Sequence, residues 1–448
     1  MNSASTTPQP SHEPEEPITR LQALMRAFRH RNYRLFFFGQ LTSLIGTWMQ
    51  TVAQAWLVYR LTDSTILLGL VSFCGQFPVF MLAPVAGAVA DRHNRHRLLV
   101  LTQITAMLVA LALALLTLAG HIQVWEIFVL ATMLGLVNAF DIPARQSFIV
   151  EMVGRKDLAN AIALNSSMFN AARIVGPSIA GLMVAAVGEG WCFLVNSVSF
   201  LGVIVSLLAM RITPRVITGH HVRMLSHIRE GLSLARRNLP IRSLLMLLGI
   251  VSLTGMPYVV LMPIFADRVL HGGAETLGVL MACTGVGALL GALTLAARRS
   301  LRGLSSLIGY AVLSFGSALI LFSFSRSVWL SALLLVPVGF SVMVQMASSN
   351  TLLQMMVPDD FRGRVMSLYS MMFMGMGPLG ALLAGTIAHH IGAPMTVAIG
   401  GVCCILAGLL FRTFLPAIRG EARRLVIAQQ MAAGVPAQGT GGEPLENR

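Results

Sequence analysis

The chain has 448 residues, of which 55% are hydrophobic and only 11% are charged, and its formal net charge is +14. A water-soluble domain carries roughly a quarter charged residues, so this composition excludes an ordinary soluble protein and predicts lipid as the solvent. Positive charge can favour nucleic acid, but the basic residues follow membrane topology, and no nucleic-acid partner is predicted. The five cysteines show no CxxC or Cys/His ligand spacing, so we expect no disulfide framework, no metal site and no cofactor.

The two ends of the chain differ in composition from the rest. Residues 1–30 begin with a stretch rich in Ser, Thr, Pro and Glu that contains no apolar core, which argues against a cleaved signal peptide. A segment of this composition cannot bury enough apolar surface to fold. Residues 1–30 are therefore predicted to be a disordered cytoplasmic tail, and residues 414–448 a second cytoplasmic tail of similar character.

Between the tails lie twelve apolar stretches that are long enough to cross a bilayer, which takes about 20 predominantly apolar residues. Their approximate bounds are 34–59, 65–90, 98–120, 124–142, 159–187, 191–210, 243–266, 276–297, 303–325, 328–356, 365–388 and 392–412. Lipid offers no hydrogen-bond partner to an irregular backbone, so each stretch is expected to be a helix. The fold class predicted is an all-α membrane protein.

Basic residues concentrate on one side of the predicted membrane. They lie in the segments joining helices 2 to 3, 4 to 5, 6 to 7, 8 to 9 and 10 to 11 and in both tails, whereas the opposite side carries only Arg60, Arg268 and Arg326. Cytoplasmic loops carry an excess of Lys and Arg. The pattern predicts a multi-pass protein of the cell inner membrane, in contact with membrane lipid, with both termini in the cytoplasm.

The longest connection between helices divides the chain into two sets of six. The predicted domains are a helical bundle at 31–211, a cytoplasmic linker at 212–241 and a second bundle at 242–413. Within the linker, apolar residues share one helical face among arginines, which fits a short helix on the membrane surface. A solvated linker with some helix fits this segment equally well.

The two halves also resemble each other in sequence. Gly87, Gly135 and Val153 recur as Gly291, Gly339 and Val357, each 204 residues later, and Gly176-Pro177 recurs as Gly377-Pro378 after 201 residues. A constant offset over several helices indicates duplication, and parallel repeats of six helices are a known transporter plan.

The most informative motif follows the second helix and reads Gly87-Ala-Val-Ala-Asp91-Arg92-His-Asn-Arg95. Gly87 permits close backbone approach. The carboxylate of Asp91 stands at a helix C-terminus, where the macrodipole disfavours an anion, so it needs nearby cations such as Arg92 and Arg95. Such a cluster could hold two helices in one conformation and release them in another. A positively charged loop with one incidental acid remains the alternative.

The pattern G-x-x-x-D-R-x-x-R after the second of twelve helices resembles the signature loop of the major facilitator superfamily. Asn94 stands where that family usually has Gly, and Leu295 shows that the acid is lost in the second repeat. Two further stretches, beginning at Asp141 and at Arg362, resemble the branch of enterobactin-exporter-like and macrolide-efflux-like proteins. The resemblance implies two six-helix bundles, alternating access, and a cavity lined by helices 1, 4, 7 and 10.

Helix 5 carries Gly176-Pro177 and, one turn earlier, Arg173. Proline removes a backbone hydrogen-bond donor and glycine has no side chain, so a bend and close helix packing are expected. The pair resembles the Gly-Pro motif of the superfamily's antiporters. Arg173 is the clearest intramembrane charge and should face a cavity or a partner. We hypothesise an ion pair with Asp141; a structural role in binding carbonyls or amides is the alternative.

Polar side chains in three helices are candidates for the substrate pathway, because the resemblance places these helices around the cavity. They are Gln40, Thr47, Gln50 and Gln54 with Ser43 in helix 1, Asn138 in helix 4, and Gln345, Asn350 and Gln354 with Ser349 in helix 10. Amides among apolar walls suit a bulky, weakly charged ligand, although hydrogen bonding between helices is the other explanation. Met371 and its neighbours could form an adaptable wall, but core packing is the commoner role.

Enzyme motifs are missing from the sequence: it contains no P-loop and neither G-x-S-x-G nor H-E-x-x-H. An enzyme is therefore not expected, and the energy for transport should come from an ion gradient, with the proton as the expected coupling ion and Asp141 as its candidate carrier. The predicted function is export of hydrophobic or amphipathic small molecules, of drug or siderophore type, by a monomeric proton antiporter. An uptake or lipid-flipping permease and a non-transporting membrane sensor are the alternatives.

Overall fold

The computed structural model describes residues 25–211, 232–298, 303–357, 359–418 and 420. Within these ranges the regular elements are helices. Residues 1–24 of the first predicted tail, most of the second predicted tail and most of the predicted linker lie outside the described residues; of the linker, residues 232–237 are helical. The side chain of Asp91 also lies outside the described part of the chain.

The long helices follow the predicted apolar stretches closely. In chain order they are α1 (Arg31–Thr62), α2 (Thr65–Arg92), α3 (Arg95–Leu118), α4 (Val124–Gly154), α5 (Lys156–Val187), α6 (Glu189–Leu208), α7 (Leu239–Val269), α8 (Ala274–Ala297), α9 (Leu304–Phe324), α10 (Val328–Met356), α11 (Asp359–Ser370, continued by Met371–Gly375 and Met376–Ile391) and α12 (Ala393–Thr413). A 3-10 turn at Arg26–Arg29 precedes α1.

Eleven helices in the described ranges are long and apolar enough to cross a membrane. The helix outside that set is α1, which is 32 residues long but is interrupted by Gln40, Gln50 and Gln54. The all-helical membrane fold is confirmed, whereas the count of twelve crossings stays a prediction for α1.

The change of direction between α4 and α5 takes place at a single glycine. Gly154 has φ 68° and ψ 177°, and the residues on both sides of it are helical within the stretch Val124–Val187. Residues with a side chain rarely adopt positive φ, so glycine makes this abrupt change of direction available. The helix continues through Pro177 with helical φ and ψ, so the bend predicted there involves no break.

Two helices of the second half are irregular instead. In α7, the segments Val251–Gly255 and Phe265–Val269 are π-helical turns, with the 3-10 turn Met256–Leu261 between them. In α11, the π turn Met371–Gly375 precedes Pro378. Proline lacks the N–H that an α-helix needs and crowds the preceding turn, and wider turns absorb that misfit.

One recurring pair of glycines, Gly135 and Gly339, has the same packing role in both halves, whereas Gly87 and Gly377 meet no described atom within 4 Å. A Cβ at Gly135 of α4 would meet the carbonyl oxygen of Gly75 in α2 at 2.5 Å, and a Cβ at Gly339 of α10 would be even closer to the carbonyl oxygen of Thr284 in α8. Small residues allow such close backbone approach between membrane helices. For this pair, the repeat detected in the sequence corresponds to a repeated helix contact.

The two halves meet at the end of the bundle that carries the α1–α2 turn, here called the closed end. Close backbone contacts join α5 to α8, where a Cβ at Gly181 would meet the carbonyl oxygen of Ala274 at 2.8 Å. They also join α2 to α11, where a Cβ at Gly69 would meet the carbonyl oxygen of Ala381 at 2.5 Å. At the opposite end, here called the open end, a Cβ at Gly87 would meet no described atom within 4 Å.

Candidate functional site

The inner face of α5 changes from buried to exposed at Arg173. Toward the closed end this face continues through Pro177, Ala180 and Val184, of which Ala180 is 0% and Val184 8% exposed. Toward the open end the same face carries Phe169 and Ile162, which are 45% and 55% exposed. Residues at these steps of three and four lie one above another on a helix, so Arg173 lies at the inner limit of a cavity that widens toward the open end.

Arg173 does not point to lipid. The exposed outer face of α5 is formed by Val175, Ile179 and Leu182, whereas Arg173 lies between the face that contacts α1 and the face that contacts α8. A Cβ at Gly285 of α8 would meet the carbonyl oxygen of Arg173 at 3.1 Å. The arginine is therefore placed where the two halves of the molecule adjoin.

The guanidinium of Arg173 lies over an aromatic ring, with its Cζ 5.9 Å from the centroid of the Trp48 ring. Gly176 makes this placement possible, because a Cβ there would meet Trp48 Cβ at 2.6 Å and the Ile45 carbonyl oxygen at 2.8 Å. Trp48 also contacts Phe169 edge-on, with centroids 5.6 Å apart. The predicted close packing at Gly176 thus brings an aromatic pair of α1 and α5 against the intramembrane cation.

Tyr258 of α7 lies within electrostatic range of Arg173 and is 3% exposed. Its hydroxyl interacts with the side chain of Thr284 in α8, and its ring meets Phe315 with centroids 6.3 Å apart. Arg173 therefore adjoins a fixed polar group that belongs to the other half of the molecule.

The predicted pair between Asp141 and Arg173 is not formed in this structure. One oxygen of Asp141 accepts hydrogen bonds from Thr102 Oγ1 at 3.0 Å and Gln103 Nε2 at 2.8 Å, and the other lies 3.3 Å from Arg145 Nη2. Counted from Gly154, Arg173 is six residues deeper than Asp141, which is about 9 Å along a helix. In this conformation Asp141 is paired instead with Arg145, which stands one helical turn from it in the sequence, and a pair with Arg173 in another conformation stays a prediction.

Asp141 is consequently a buried group with partners on two helices, 3% exposed between α3 and α4. No carboxylate lies within 4 Å of the Arg173 guanidinium among the described residues. The two intramembrane charges therefore occupy separate environments.

The polar residues predicted to line the substrate pathway divide into two groups. Gln40, Gln50 and Gln345 are 2–3% exposed and lie inside the helix bundles. Gln50 accepts a hydrogen bond from Asn196 of α6 at 2.6 Å, so it joins helices within the first half. These three do not reach the cavity in this conformation, because they are buried against neighbouring helices. One sequence alone does not reveal which helices those are.

The remaining polar residues keep accessible surface. Thr47, Gln54, Asn138 and Asn350 are partly exposed and Gln354 is exposed, and the side chains of Gln354 and Asn350 are hydrogen-bonded to each other. Within this group Thr47 donates to the carbonyl oxygen of Ser43 in its own helix at 2.9 Å. Their contact with a substrate stays a prediction.

The signature loop after α2 is attached to the end of α4. Arg95 Nη1 lies 2.7 Å from Glu151 Oε1, and Arg95 Nε donates to the carbonyl oxygen of Ala90 at 3.2 Å. Sequence reasoning missed Glu151, because nothing local connects it to Arg95. Gly87 has open space around it and Arg92 is exposed, so in this conformation the loop does not close against the second half through Gly87.

A polar group at the closed end was also missed. Tyr59 of α1 donates a hydrogen bond to Asp267 of α7 at 2.5 Å, and Asp63 forms an ion pair with Arg268. Both contacts join the first half to the second, and here they are called the closed-end latch. The sequence shows these residues only as charges beside the predicted turns, and it does not show that they meet across the two halves.

A bundle of apolar helices in two repeated halves that are joined at one end, with a cavity that reaches an intramembrane cation from the other end, defines a membrane transporter of the major facilitator type. The profile of the family described as "Transmembrane secretion effector" matches residues 23–435. The chain belongs to this family. The predicted superfamily is thereby confirmed.

Curated relatives resemble the chain over most of its length. The Staphyloferrin A transporter of Staphylococcus aureus is 27% identical over 84% of this chain and 95% of its own. The Multidrug efflux pump Tap of Mycolicibacterium fortuitum is 29% identical over 86% and 96%, and the Enterobactin exporter EntS of Citrobacter koseri 25% identical over 91% and 96%. The predicted kinship with enterobactin exporters is confirmed, as is the prediction of a transporter rather than an enzyme.

Solved structures of low sequence identity share the fold. A peptide transporter of the POT type aligns with a TM-score of 0.69 at 14% identity, over 87% of this chain and 95% of its own. A bacterial homologue of the iron transporter ferroportin, described as being in an inward-facing state, aligns with a TM-score of 0.65 at 17% identity, over 86% and 98%.

Proposed function

We propose that this protein exports hydrophobic or amphipathic small molecules of drug or siderophore type across the cell inner membrane, by alternating access of its two halves. The observation that carries the proposal is the inner face of α5, buried from Pro177 to the closed end and exposed from Phe169 to the open end. A cavity open at one end and sealed at the other is one of the two states that alternating access requires.

The distribution of charge supports an orientation for these two ends. The open end carries Arg95, Arg145 and Arg242, whereas the closed end carries few basic residues, Arg60 and Arg268 among them. By the positive-inside rule the open end faces the cytoplasm, with both termini on that side. The cavity is then loaded from the cytoplasm, as export demands.

We further propose that protons drive the cycle and that Asp141 carries them. Among the described residues of the spans, Asp141 is the buried acid near the open end. Its partners are Thr102 and Gln103 of α3 and Arg145 of α4. A change of its protonation would alter the contact of α3 with α4, the two helices that the Arg95–Glu151 ion pair joins nearer the open end. This connection through α3 and α4 supports coupling of a proton on Asp141 to the loop that follows α2.

Export is tested by a growth-inhibition panel in an efflux-deficient host that expresses the protein. We expect higher tolerance to at least one group of amphipathic compounds, and loss of that tolerance in an Asp91→Ala variant of equal membrane abundance, because the signature loop is needed for the conformational cycle. Gly202→Ala, an exposed α6 position with open space around it, is the matched control and should behave as wild type. Lower tolerance on expression would favour uptake, and unchanged tolerance to every compound would contradict drug export.

A further inference from the structure

Arg173 is a cation placed inside the membrane without a neutralising acid among the described residues. A charged side chain at this depth is expensive and normally pairs with another charge or faces a water-filled cavity. Asp141, the acid predicted to pair with it, is engaged by Arg145 instead. Arg173 therefore keeps its charge available to whatever enters the cavity.

The immediate surroundings of Arg173 orient it but do not cancel its charge. Trp48 offers a ring face to the guanidinium at 5.9 Å, and Tyr258 offers a buried neutral hydroxyl that is shared with Thr284. A cation–π contact leaves the N–H donors at the edge of the guanidinium free to bind oxygen atoms. Phe169, 45% exposed on the same face of α5, adds apolar surface next to this edge.

We propose that Arg173 is the anion-binding residue of the substrate site, and that the substrates are organic anions in which a planar carboxylate is joined to an apolar or aromatic body. The planar fork of guanidinium N–H donors matches two oxygen atoms of such a group, while Trp48 and Phe169 contact the body. This inference rests on the proposed export function and narrows its substrate class: a cationic amphipath would meet a like charge at the inner limit of the cavity.

The position of Arg173 also connects binding to the conformational cycle. Its main chain packs against Gly285 of α8, its side chain lies on Trp48 of α1, and Tyr258 of α7 is within electrostatic range. When the open end closes, the guanidinium loses its contact with water, and a bound anion reduces the free-energy cost of that loss. An anionic substrate would thus favour closure more than a neutral or cationic molecule of the same shape.

The test uses three fluorescent probes of one shape that differ in charge: anthracene carboxylate, anthracenemethanol and aminomethylanthracene. Their dissociation constants are measured on the purified full-length protein in detergent. We expect the wild type to bind the carboxylate at least about tenfold more tightly than the amine, the difference that a charge-assisted bidentate contact supplies. Arg173→Gln should weaken carboxylate binding by about tenfold or more and strengthen amine binding, and Arg173→Lys should retain the order of affinities.

Arg60→Gln is the matched control, because Arg60 is an exposed arginine that is paired with Glu189 outside the cavity, and it should leave the order of the three probes unchanged. Thermal unfolding of every variant checks that the protein is folded. A wild type that does not prefer the carboxylate would overturn the proposal. So would an Arg173→Gln variant that keeps the preference, or one whose affinity for all three probes falls by the same factor. The last outcome would mark Arg173 as purely structural.

Flux measurements separate this inference from the function on which it rests. Export of cationic amphipaths without any export of anthracene carboxylate from vesicles would leave the export function standing and refute the anion site. The expected charge preference in binding, combined with no flux of any probe in either direction, would refute the export function and leave the anion site standing.

Discussion

Gly154 holds the reversal between α4 and α5 in a conformation that other residues adopt only with strain. Its φ of 68° and ψ of 177° lie in a region that a Cβ makes unfavourable. A residue with a side chain held in this region carries a strain of order 1–3 kcal/mol. No described atom lies within 4 Å of a Cβ built at this position. The requirement for glycine is therefore one of backbone conformation and not of space.

We predict that Gly154→Ala lowers the thermal stability of the detergent-solubilised protein, because alanine cannot relieve the positive φ. The control is Gly202→Ala in the helical α6, where open space surrounds the Cβ and alanine has the better helix propensity. Its unfolding temperature should equal or exceed that of the wild type. Equal unfolding temperatures for Gly154→Ala and the wild type would show that the reversal is not strained.

At the scale of the helices, α1 and α7 are joined across the closed end by the latch of Tyr59–Asp267 and Asp63–Arg268. A second polar contact at the same end, between Arg60 and Glu189, joins α1 to α6 within the first half. The first pair of contacts must break when the closed end opens, whereas the Arg60–Glu189 contact can persist. The latch therefore stabilises the conformation described above relative to the alternate one.

Substitution of the latch should shift the equilibrium between these conformations. We predict that Tyr59→Phe combined with Arg268→Gln increases the population with a separated closed end, measured as the distance between spin labels at the exposed positions Leu61 and His271. Arg60→Gln, which removes a charge at the same end but no contact between the halves, should leave the distance distribution unchanged. Identical distributions for the latch variant and the wild type would count against the latch.

The helices could be predicted from the sequence, because an apolar run in lipid has no alternative to helical hydrogen bonding. The predicted stretch 328–356 coincides with α10. The irregular turns of α7 could not be located from the sequence. Pro257 and Pro263 indicate that helical hydrogen bonds are lost, but not which turns of the helix widen or tighten as a result. At the site, Arg173 was identified by its cost in lipid, whereas its neighbours Trp48 and Tyr258 depend on how three helices come together.

At the scale of the whole molecule, the two repeated halves adjoin at the closed end and leave Arg173 at the inner limit of the open cavity. The family and its curated relatives are transporters, and the cavity gives this chain a physical route for the same kind of task. A proton gradient is the proposed source of energy, with Asp141 as the coupling acid beside Arg145.

We propose that this protein moves an amphipathic solute out of the cytoplasm at the expense of a proton gradient. The most direct test is the accumulation of anthracene carboxylate and of the compounds identified by the growth panel in inverted membrane vesicles, with an acid interior imposed. We predict accumulation by the wild type that collapses when the gradient is dissipated, and an Asp141→Asn variant that exchanges solute without accumulating it. Absence of gradient-driven accumulation in inverted vesicles, or its appearance only in right-side-out vesicles, would contradict proton-driven export.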